Sequence, residues 1–525
     1  MNKYIYILAA VYLYIFGILF NYENAWMHTE VVNIEHHILT QHSAPAARLK
    51  EGFNWSLMEN SGTGTKVSRP RPFSYLILAA NTVLRNWLFR FIPPHPSLSI
   101  TWIVALVLSP LLLYRLIFHL SGNKETAWMG TILYLSLPGS LIPIIMLFHP
   151  GKVFTNFFFI FCLYLASRIQ NKIQDLDDHS LRKSFLGLVA AVFFSFFFDE
   201  YSLFIFILIP LFFPKIFHRL KSTPIILFYL SLPVLFVLIT LYVLPGLYAT
   251  LGFPGFNFLN NPGIKSFPWP NPYYALINFI LLLQDNLLAG FTTYLKDPAV
   301  GLEITNYGTL SNRLIHADNI RIGLSLLHNP HLNILKIFHH LAFFGISGLF
   351  LYSFFKNPVK DQQENGYLLR SFIALLLFTI FFSFLHTYNY ILSGCAWYGC
   401  SFSVLFAIFT ALLLNKTAKI SSYGKILTIV FFLSLTVNSL YNTKILNTAW
   451  MLINQDPRIQ LDVWLNRIDR KTLHDDYQSH QGAENFLFTY LAWENRHDQE
   501  RKTESLKKLP LQTRYYLSRE LPHIK

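Results

Sequence analysis

The sequence predicts an all-α polytopic membrane protein with about eleven transmembrane helices, outward-facing loop helices and a small soluble helical region at its C-terminal end. Three observations predict this class. Of the 525 residues, 53% are hydrophobic and only 13% are charged, which is more apolar surface than a water-facing exterior accommodates. The apolar residues form long uncharged blocks. Lys and Arg residues collect in alternate loops between those blocks.

An α-helix rises about 1.5 Å per residue, so about 20 apolar residues cross the hydrocarbon core of a bilayer. The block at 4–20 has no small-residue cleavage site after it and predicts an uncleaved anchor with a cytoplasmic N-terminus. Blocks of this kind occur near residues 4–20, 98–118, 126–147, 153–168, 185–198, 201–214, 224–244, 335–355, 369–385, 397–414 and 425–441.

Basic residues between the blocks test this count, because cytoplasmic loops are enriched in Lys and Arg. If 185–214 formed one helix, the later basic loops would face outward, so a hairpin is predicted with Asp199 and Glu200 at its outward tip. The loops predicted to be cytoplasmic carry Arg115, Lys124, Arg168, Lys172, Arg182, Lys183, Lys215, Arg219, Lys221, Lys356, Lys360, Arg370, Lys416, Lys419 and Lys425.

The same topology divides the chain into two regions. Residues 1–441 form the transmembrane domain, with outward loops near 21–97 and 245–334, and residues 442–525 form an extracytoplasmic helical region with charges of both signs. Within the second outward loop, an apolar segment at 273–294 is interrupted by polar residues and predicts an interfacial or re-entrant helix. Compact loops and the lack of targeting signals favour a bacterial inner membrane.

The sequence does not predict nucleic-acid binding, a disulfide framework or a histidine metal site. The net charge of +14 does not indicate nucleic-acid binding, because much of it lies in short loops where it sets topology. The three cysteines have neither metal-ligand spacing nor a disulfide framework. His36 and His37 are adjacent and would point to different sides of a helix, so no metal site is predicted from them.

Carboxylates that lie at a membrane boundary are candidates for acid and base chemistry. Glu23 follows the first block directly, and Glu30 follows within the same loop. Partial burial raises the pKa of such a carboxylate toward neutrality, where it serves as a general base. Asp199 and Glu200 lie between two apolar runs, and a charge at the bilayer centre costs about 2.5 to 3.5 kcal/mol. The pair therefore lies at a membrane surface or in a polar cavity, where it has a catalytic role or simply caps helix ends.

Cations near the outward face are candidates for binding phosphate. Arg69 and Arg71 precede a partly apolar helix in "SRPRPFSYLILAAN", and guanidinium groups bind phosphate bidentately. His149 and Lys152 occupy the short outward loop "FHPGK" on the same face. The alternatives are helix anchoring for the arginines and a snorkelling surface role for the lysine.

These features together resemble the GT-C superfamily of integral-membrane glycosyltransferases, which includes protein O-mannosyltransferases and lipid A aminoarabinose transferases. The shared features are the cytoplasmic N-terminus, the acidic loop after the first span, the Arg-Pro pair before an interfacial helix and the short outward hairpins. The resemblance is clearest over residues 1–221 and is architectural. Where that family has an acidic residue, often paired with a second, this chain has Glu23 in "FNYENAW" with no adjacent acid, so Glu23 and Glu30 both remain candidates.

The resemblance implies transfer of a sugar from a polyprenyl-phosphate donor to the hydroxyl of a glycan, lipid or protein acceptor at the extracytoplasmic face. Glu23, Glu30, Asp199 and Glu200 are the implied catalytic residues, and Arg69, Arg71, His149 and Lys152 the implied phosphate ligands. Membrane lipids are expected partners and nucleic acid is not. No cofactor is expected, and dependence on a divalent metal is left open.

Two other functions fit parts of the sequence. One is an O-antigen ligase or polymerase, which uses Arg and His residues of a large outward loop such as Arg313, His316, Arg321 and His328. The long acidic first loop argues against it. The other is a non-enzymatic transporter or flippase of lipid-linked sugars. Such proteins usually have ionisable groups at mid-membrane and internal repeats, and the sequence shows neither.

Overall fold

The computed structural model of the chain describes residues 44–50, 59–60, 66–67, 71–88, 100–137, 150–220, 223–250, 341–349, 362–385 and 400–455, with the positions 38, 91, 139, 140, 276, 279, 339 and 352. Nearly all of these residues are helical. The elements in chain order are β1 (Glu59–Asn60), β2 (Lys66–Val67), α1 (Pro72–Leu88), α2 (Ile100–Ile103), a π-helical stretch (Val104–Leu108), α3 (Ser109–Ser121), α4 (Lys124–Ser136), α5 (Pro150–Asn171), α6 (Asp178–Ser195), a 3-10 helix (Glu200–Phe204), α7 (Ile205–Phe212), α8 (Pro214–Leu220), α9 (Thr223–Leu238), a second π-helical stretch (Ile239–Val243), α10 (Leu244–Thr250), α11 (Gln362–Leu385), α12 (Cys400–Ile420) and α13 (Ser422–Gln455). The two strands are antiparallel and two residues long, which leaves the predicted all-α class intact.

Several of these helices could span a membrane, which is consistent with an integral membrane protein. Four stretches are long and apolar enough: Val104–Ser121, Pro150–Asn171, Pro224–Leu247 and Cys400–Ile420. Glu200–Phe212 and Pro214–Leu220, which meet at 75°, make a fifth if they form one span. The total of about eleven stays a prediction, because several of its blocks lie partly or wholly outside the described residues.

The candidate spans differ in how deeply they are buried. In Cys400–Ile420, 83% of the apolar stretch is buried, so α12 lies at the centre of the described helices. In Pro224–Leu247 only 22% of the apolar stretch is buried. Apolar side chains such as Leu230 and Val234 are more than half exposed. An extended apolar surface of this kind is stable against lipid and not against water. The peripheral position of α9 therefore fits a helix that faces a bilayer.

The chain reverses between α6 and the 3-10 helix. Contacts pair successive positions of α5 with successive positions after the reversal: Lys152 with Asp199, Thr155 with Ser202 and Phe159 with Phe204. The last turn of α6 lies beside the first half of α5, since the rings of Phe194 and Phe158 have centroids 6.0 Å apart. Because α7 runs along α5 in the same direction and α6 in the opposite one, Asp199 and Glu200 lie at the tip of the hairpin that the sequence predicts.

Four of the loops predicted to be cytoplasmic meet at the opposite end of the bundle. Asn123, between α3 and α4, donates to Asn415 near the end of α12 over 3.1 Å. Gln170 near the end of α5 donates to the hydroxyl of Tyr367 in the first turns of α11. The described basic residues of these loops thus share one end of the described structure, as the positive-inside pattern requires, while Lys356 and Lys360 lie outside the described residues.

Helix starts at this end follow ordinary capping chemistry. The side chain of Asn123 accepts a hydrogen bond from the N–H of Glu125 at the start of α4, and Asp177 accepts one from the N–H of Ser180 in α6. Hydrogen bonds from the hydroxyl and the N–H of Ser180 hold the pKa of Asp177 below its usual range. The turn between α5 and α6 is therefore fixed by a carboxylate that favours its charged form.

The helix α13 continues through the predicted domain boundary. It begins at Ser422 and ends at Gln455, so the division between residues 441 and 442 falls inside one helix of 34 residues. The predicted C-terminal region beyond Gln455 and nearly all of the predicted interfacial helix at 273–294 lie outside the described residues.

A glycine lets α4 pack closely against its neighbours. A Cβ atom added at Gly130 would lie 2.3 Å from Cδ1 of Ile117 in α3 and 2.9 Å from the Cβ of Ala411 in α12. Gly187, in the middle of α6, has no atom within 4 Å of the same position. Both glycines have helical backbone conformation, but only Gly130 lies in close contact with neighbouring helices.

This difference predicts opposite tolerance to substitution. Gly130→Val should lower the free energy of unfolding by about 1 to 3 kcal/mol, because the added methyl groups overpack the contact between three helices. Gly187→Val should change it by less than about 1 kcal/mol, since the position is open. Denaturant titration of the purified protein in detergent, followed by tryptophan fluorescence, measures both. Equal stability of the two variants would contradict the close packing of α4.

Candidate functional site

Four charged side chains from three distant segments meet at the hairpin tip. Arg71 directly precedes α1, Lys152 lies in the first turn of α5, and Asp199 and Glu200 lie at the chain reversal. The N–H of Phe73 donates to the carbonyl of Phe197 over 3.3 Å, which joins the start of α1 to the reversal. We call these four side chains the charge cluster. The tertiary structure thus brings together residues up to 129 positions apart in the chain.

Asp199 is the centre of the charge cluster. The Nζ atom of Lys152 lies 3.0 Å from each of its carboxylate oxygens, and Nη1 of Arg71 lies 3.4 Å from Oδ2. Its Oδ1 also accepts a hydrogen bond from the N–H of Tyr201 over 3.2 Å and so caps the 3-10 helix. One carboxylate therefore binds two cations and fixes the backbone that follows it.

Glu200 binds Arg71 in the bidentate geometry that suits a guanidinium. Nε of Arg71 donates to Oε2 over 2.6 Å, and Nη2 donates to Oε1. Two parallel bonds of this kind are stronger and more specific in direction than a single ion pair. Arg71 is thus held by Glu200 on one edge and by Asp199 on another.

Burial distinguishes the four members. The side chains of Arg71, Lys152 and Asp199 are at most 2% exposed, whereas that of Glu200 is 23% exposed. Two cations and two carboxylates give the charge cluster no net charge, which offsets much of the desolvation cost of burying ions. Glu200 is the member nearest to solvent, and Lys152 with Asp199 forms the inner pair.

Small residues allow the three segments to approach. A Cβ added at Gly151 would lie 2.4 Å from the carbonyl oxygen of Phe198 and 2.7 Å from Oγ of Ser74. The N–H of Gly151 donates to that same Oγ over 2.9 Å. Only a residue without a side chain fits at this position, so Gly151 sets the distance between α5, α1 and the reversal.

Polar side chains continue from the charge cluster into the helices. The ammonium group of Lys152 lies 3.8 Å from the ring centroid of Tyr201, a cation–π contact. Thr155 and Ser202 share a hydrogen bond of 3.0 Å. Ser401 at the start of α12 donates to Asn156 over 3.0 Å, and the buried Cys400 precedes it. The inner pair therefore lies against a polar, hydrogen-bonded surface built from α5, the 3-10 helix and α12.

The sequence-predicted site residues fall into two groups. Arg71, Lys152, Asp199 and Glu200 lie together in the charge cluster. Glu23, Glu30, Arg69 and His149 lie outside the described residues, so their positions stay predictions. Both described cations contact carboxylates, and their predicted phosphate-binding role therefore requires that a carboxylate give way.

Sequence reasoning did not single out Ser74, Gly151, Tyr201, Asn156 or Ser401. These residues gain their roles only from contacts between separate helices. One signal was present, since a glycine directly before the lone lysine in "FHPGK" is typical of a close backbone approach. Among the described residues no group of three or more His, Cys, Asp or Glu side chains is arranged to hold a metal ion.

Comparisons with known proteins found no matching family model, no matching curated protein and no matching solved structure.

The buried inner pair predicts strong coupling between its two charges. Lys152→Met or Asp199→Asn alone should lower the free energy of unfolding by about 3 to 5 kcal/mol, because each leaves a buried charge without its partner. The double variant should cost much less than the sum of the two. Unfolding titrations of the four proteins in detergent give the coupling energy.

Arg219 and Asp178 provide the matched control. They form an ion pair of 3.5 Å between α8 and α6, but their side chains are 50% and 70% exposed. The corresponding cycle of Arg219→Met and Asp178→Asn should show a coupling of about 0 to 1 kcal/mol. A coupling for Lys152 and Asp199 no larger than this would mean that the inner pair is solvated.

Proposed function

We propose that the chain is an integral-membrane transferase of the GT-C type, which moves a sugar from a polyprenyl-phosphate donor to an acceptor hydroxyl. The acceptor is a glycan, a lipid or a protein. The observation that supports this best is the charge cluster itself. Ionisable side chains buried among membrane-spanning helices are costly and mark functional sites more often than structural ones.

The reaction needs two kinds of group. A phosphate-linked sugar already has a good leaving group, so the protein has to remove a proton from the acceptor and stabilise charge on the departing phosphate. Arg71 suits the second task, because its bidentate partner Glu200 is the least buried member of the charge cluster. A donor phosphate takes the place of Glu200 on the guanidinium, and the released carboxylate then turns toward the acceptor.

Lys152 and Asp199 have a supporting task in this proposal. Lys152 binds Asp199 and is only 1% exposed. It neutralises the charge of Asp199 and keeps that carboxylate oriented toward Arg71. The general base is Glu23 or Glu30 of the first outward loop. The charge cluster lies at the extracytoplasmic face of a bacterial inner membrane, with the N-terminus in the cytoplasm and the C-terminus in the periplasm.

Arg71→Lys tests the phosphate contact without removing the charge. We expect the KM for a polyprenyl-phosphate sugar to rise by roughly tenfold or more, since a charge-assisted bidentate contact contributes about 1.5 to 3 kcal/mol. Transfer of a labelled sugar from the lipid donor by the purified protein measures it. Arg219→Lys, at the opposite end of the helices, is the matched control. An unchanged KM in Arg71→Lys would place the phosphate elsewhere.

The base is tested by Glu23→Gln, which keeps the shape of the side chain and removes its basicity. Turnover should fall at least about a hundredfold, the usual contribution of a general base, while the amount of folded protein in the membrane is unchanged. Glu30→Gln should have a smaller effect if Glu23 is the base. Full transfer by both variants would exclude both carboxylates from the mechanism.

Two outcomes favour the rival functions. Loss of activity in Arg321→Ala, together with full activity in Arg71→Lys, supports a ligase or polymerase that uses the second outward loop. Movement of a labelled lipid-linked sugar across a proteoliposome membrane, without transfer to any acceptor, supports a transporter.

A further inference from the structure

A second group of basic side chains lies at the other end of α5. Arg115 and His119 are one helical turn apart on α3, and Tyr164 and Arg168 are one turn apart on α5, so each pair shares a helix face. The two faces meet, because the rings of His119 and Tyr164 stack with centroids 5.6 Å apart. Arg168 lies about 24 Å along the helix from Lys152, which separates this group from the charge cluster.

Hydrogen bonds fix the orientation of His119. Its Nδ1 lies 2.9 Å from Oγ of Ser167, and that hydroxyl donates its own proton to the carbonyl of Tyr164 over 2.7 Å. The Nδ1–H of His119 is therefore the donor to Ser167, and Nε2 is the nitrogen left for another partner. The guanidinium of Arg168 lies 5.9 Å from the centroid of the same Tyr164 ring. One tyrosine thus positions both the imidazole and the guanidinium.

In the part of the chain that the structure describes, this group of basic side chains has no carboxylate partner. Neither Arg115 nor Arg168 forms an ion pair with any acidic side chain of the described part of the chain. Both arginines are exposed, and both act electrostatically on the half-buried ring of His119. Neighbouring cations without an acid repel one another, and an anion between them removes that cost. The arrangement differs in this respect from the charge cluster, where cations and carboxylates balance.

The positions of Arg115 and Arg168 near the ends of their helices match the level of lipid head groups. Arg115 lies six residues before the end of α3 and Arg168 three before the end of α5, or about 9 Å and 4.5 Å of helix. The rings of Tyr114, next to Arg115 in α3, and Trp128 in α4 contact each other in a tilted arrangement with centroids 4.8 Å apart. Tyr and Trp are enriched at the level of the membrane–water interface. Guanidinium groups at this depth suit phosphate oxygens, to which they bind bidentately.

We propose that Arg115, His119 and Arg168 form a phosphate-binding site at the end of the bundle opposite the charge cluster. Its ligand is a phosphate group with at least one negative charge, carried by an anionic phospholipid head group or by a soluble phosphate. The two guanidinium groups bind the phosphate oxygens, and Nε2 of His119 donates to a third oxygen when the ring is protonated. This site does not depend on the proposed sugar transfer.

Phosphatidic acid and inorganic phosphate are the probes. Purified full-length protein in phosphate-free detergent is titrated with dioleoyl phosphatidic acid or dioleoyl phosphatidylcholine, and bound lipid is counted by native mass spectrometry. We expect at least tenfold tighter binding of phosphatidic acid and a loss of at least tenfold in the double variant Arg115→Gln, Arg168→Gln. Competition by millimolar inorganic phosphate identifies a soluble ligand, and its absence identifies the lipid head group.

The double variant Arg182→Gln, Lys183→Gln is the control, since it removes two exposed cations from α6 at the same end of the bundle. It should bind phosphatidic acid as the unmodified protein does. A second measurement needs no variant: a bound phosphate should protect Arg115 and Arg168, but not Arg182, from modification by phenylglyoxal. Equal loss in both double variants, undiminished binding without Arg115 and Arg168, or absence of protection would each overturn the proposal.

Discussion

The buried carboxylate of Asp199 forms ion pairs with two cations from separate segments of the chain, and these contacts hold three segments together. Lys152 binds it from α5 and Arg71 from the start of α1, while the same carboxylate caps the 3-10 helix after the reversal. In an apolar environment each of these charges alone costs several kcal/mol, so none is stable there without the others. Glu200 adds a bidentate contact to the same guanidinium group, so Arg71 joins the two carboxylates.

Close backbone packing is the second condition for this arrangement. The ion pairs are short only because Gly151 allows the carbonyl of Phe198 and the side chain of Ser74 to approach α5. Around them the rings of Phe73, Phe154, Phe158, Phe194 and Phe198 pack against one another. Phenylalanine fills this space without polar atoms of its own, so the region excludes water and strengthens the ionic contacts that it surrounds.

The helix α5 joins two sites of different electrostatic character. At its start, Lys152 belongs to a buried cluster in which charges balance. At its end, Arg168 lies beside Arg115 and His119 with no acidic partner in the described part of the chain, at the end where the basic loops meet. A helix of 22 residues is about as long as the hydrocarbon core of a bilayer is thick, so the distance between the two sites is close to that thickness.

The sequence alone determined the helical membrane class, the reversal at Asp199 and the shared side of the basic loops, because apolar block length and the sign of loop charges are local properties. It also singled out all four members of the charge cluster as chemically unusual. Only the tertiary structure decided that Arg71 and Lys152 bind Asp199 and Glu200, that Gly151 is needed for their approach, and that α13 continues past residue 441. Those facts depend on contacts between residues far apart in the chain, and no local pattern specifies which cation meets which carboxylate.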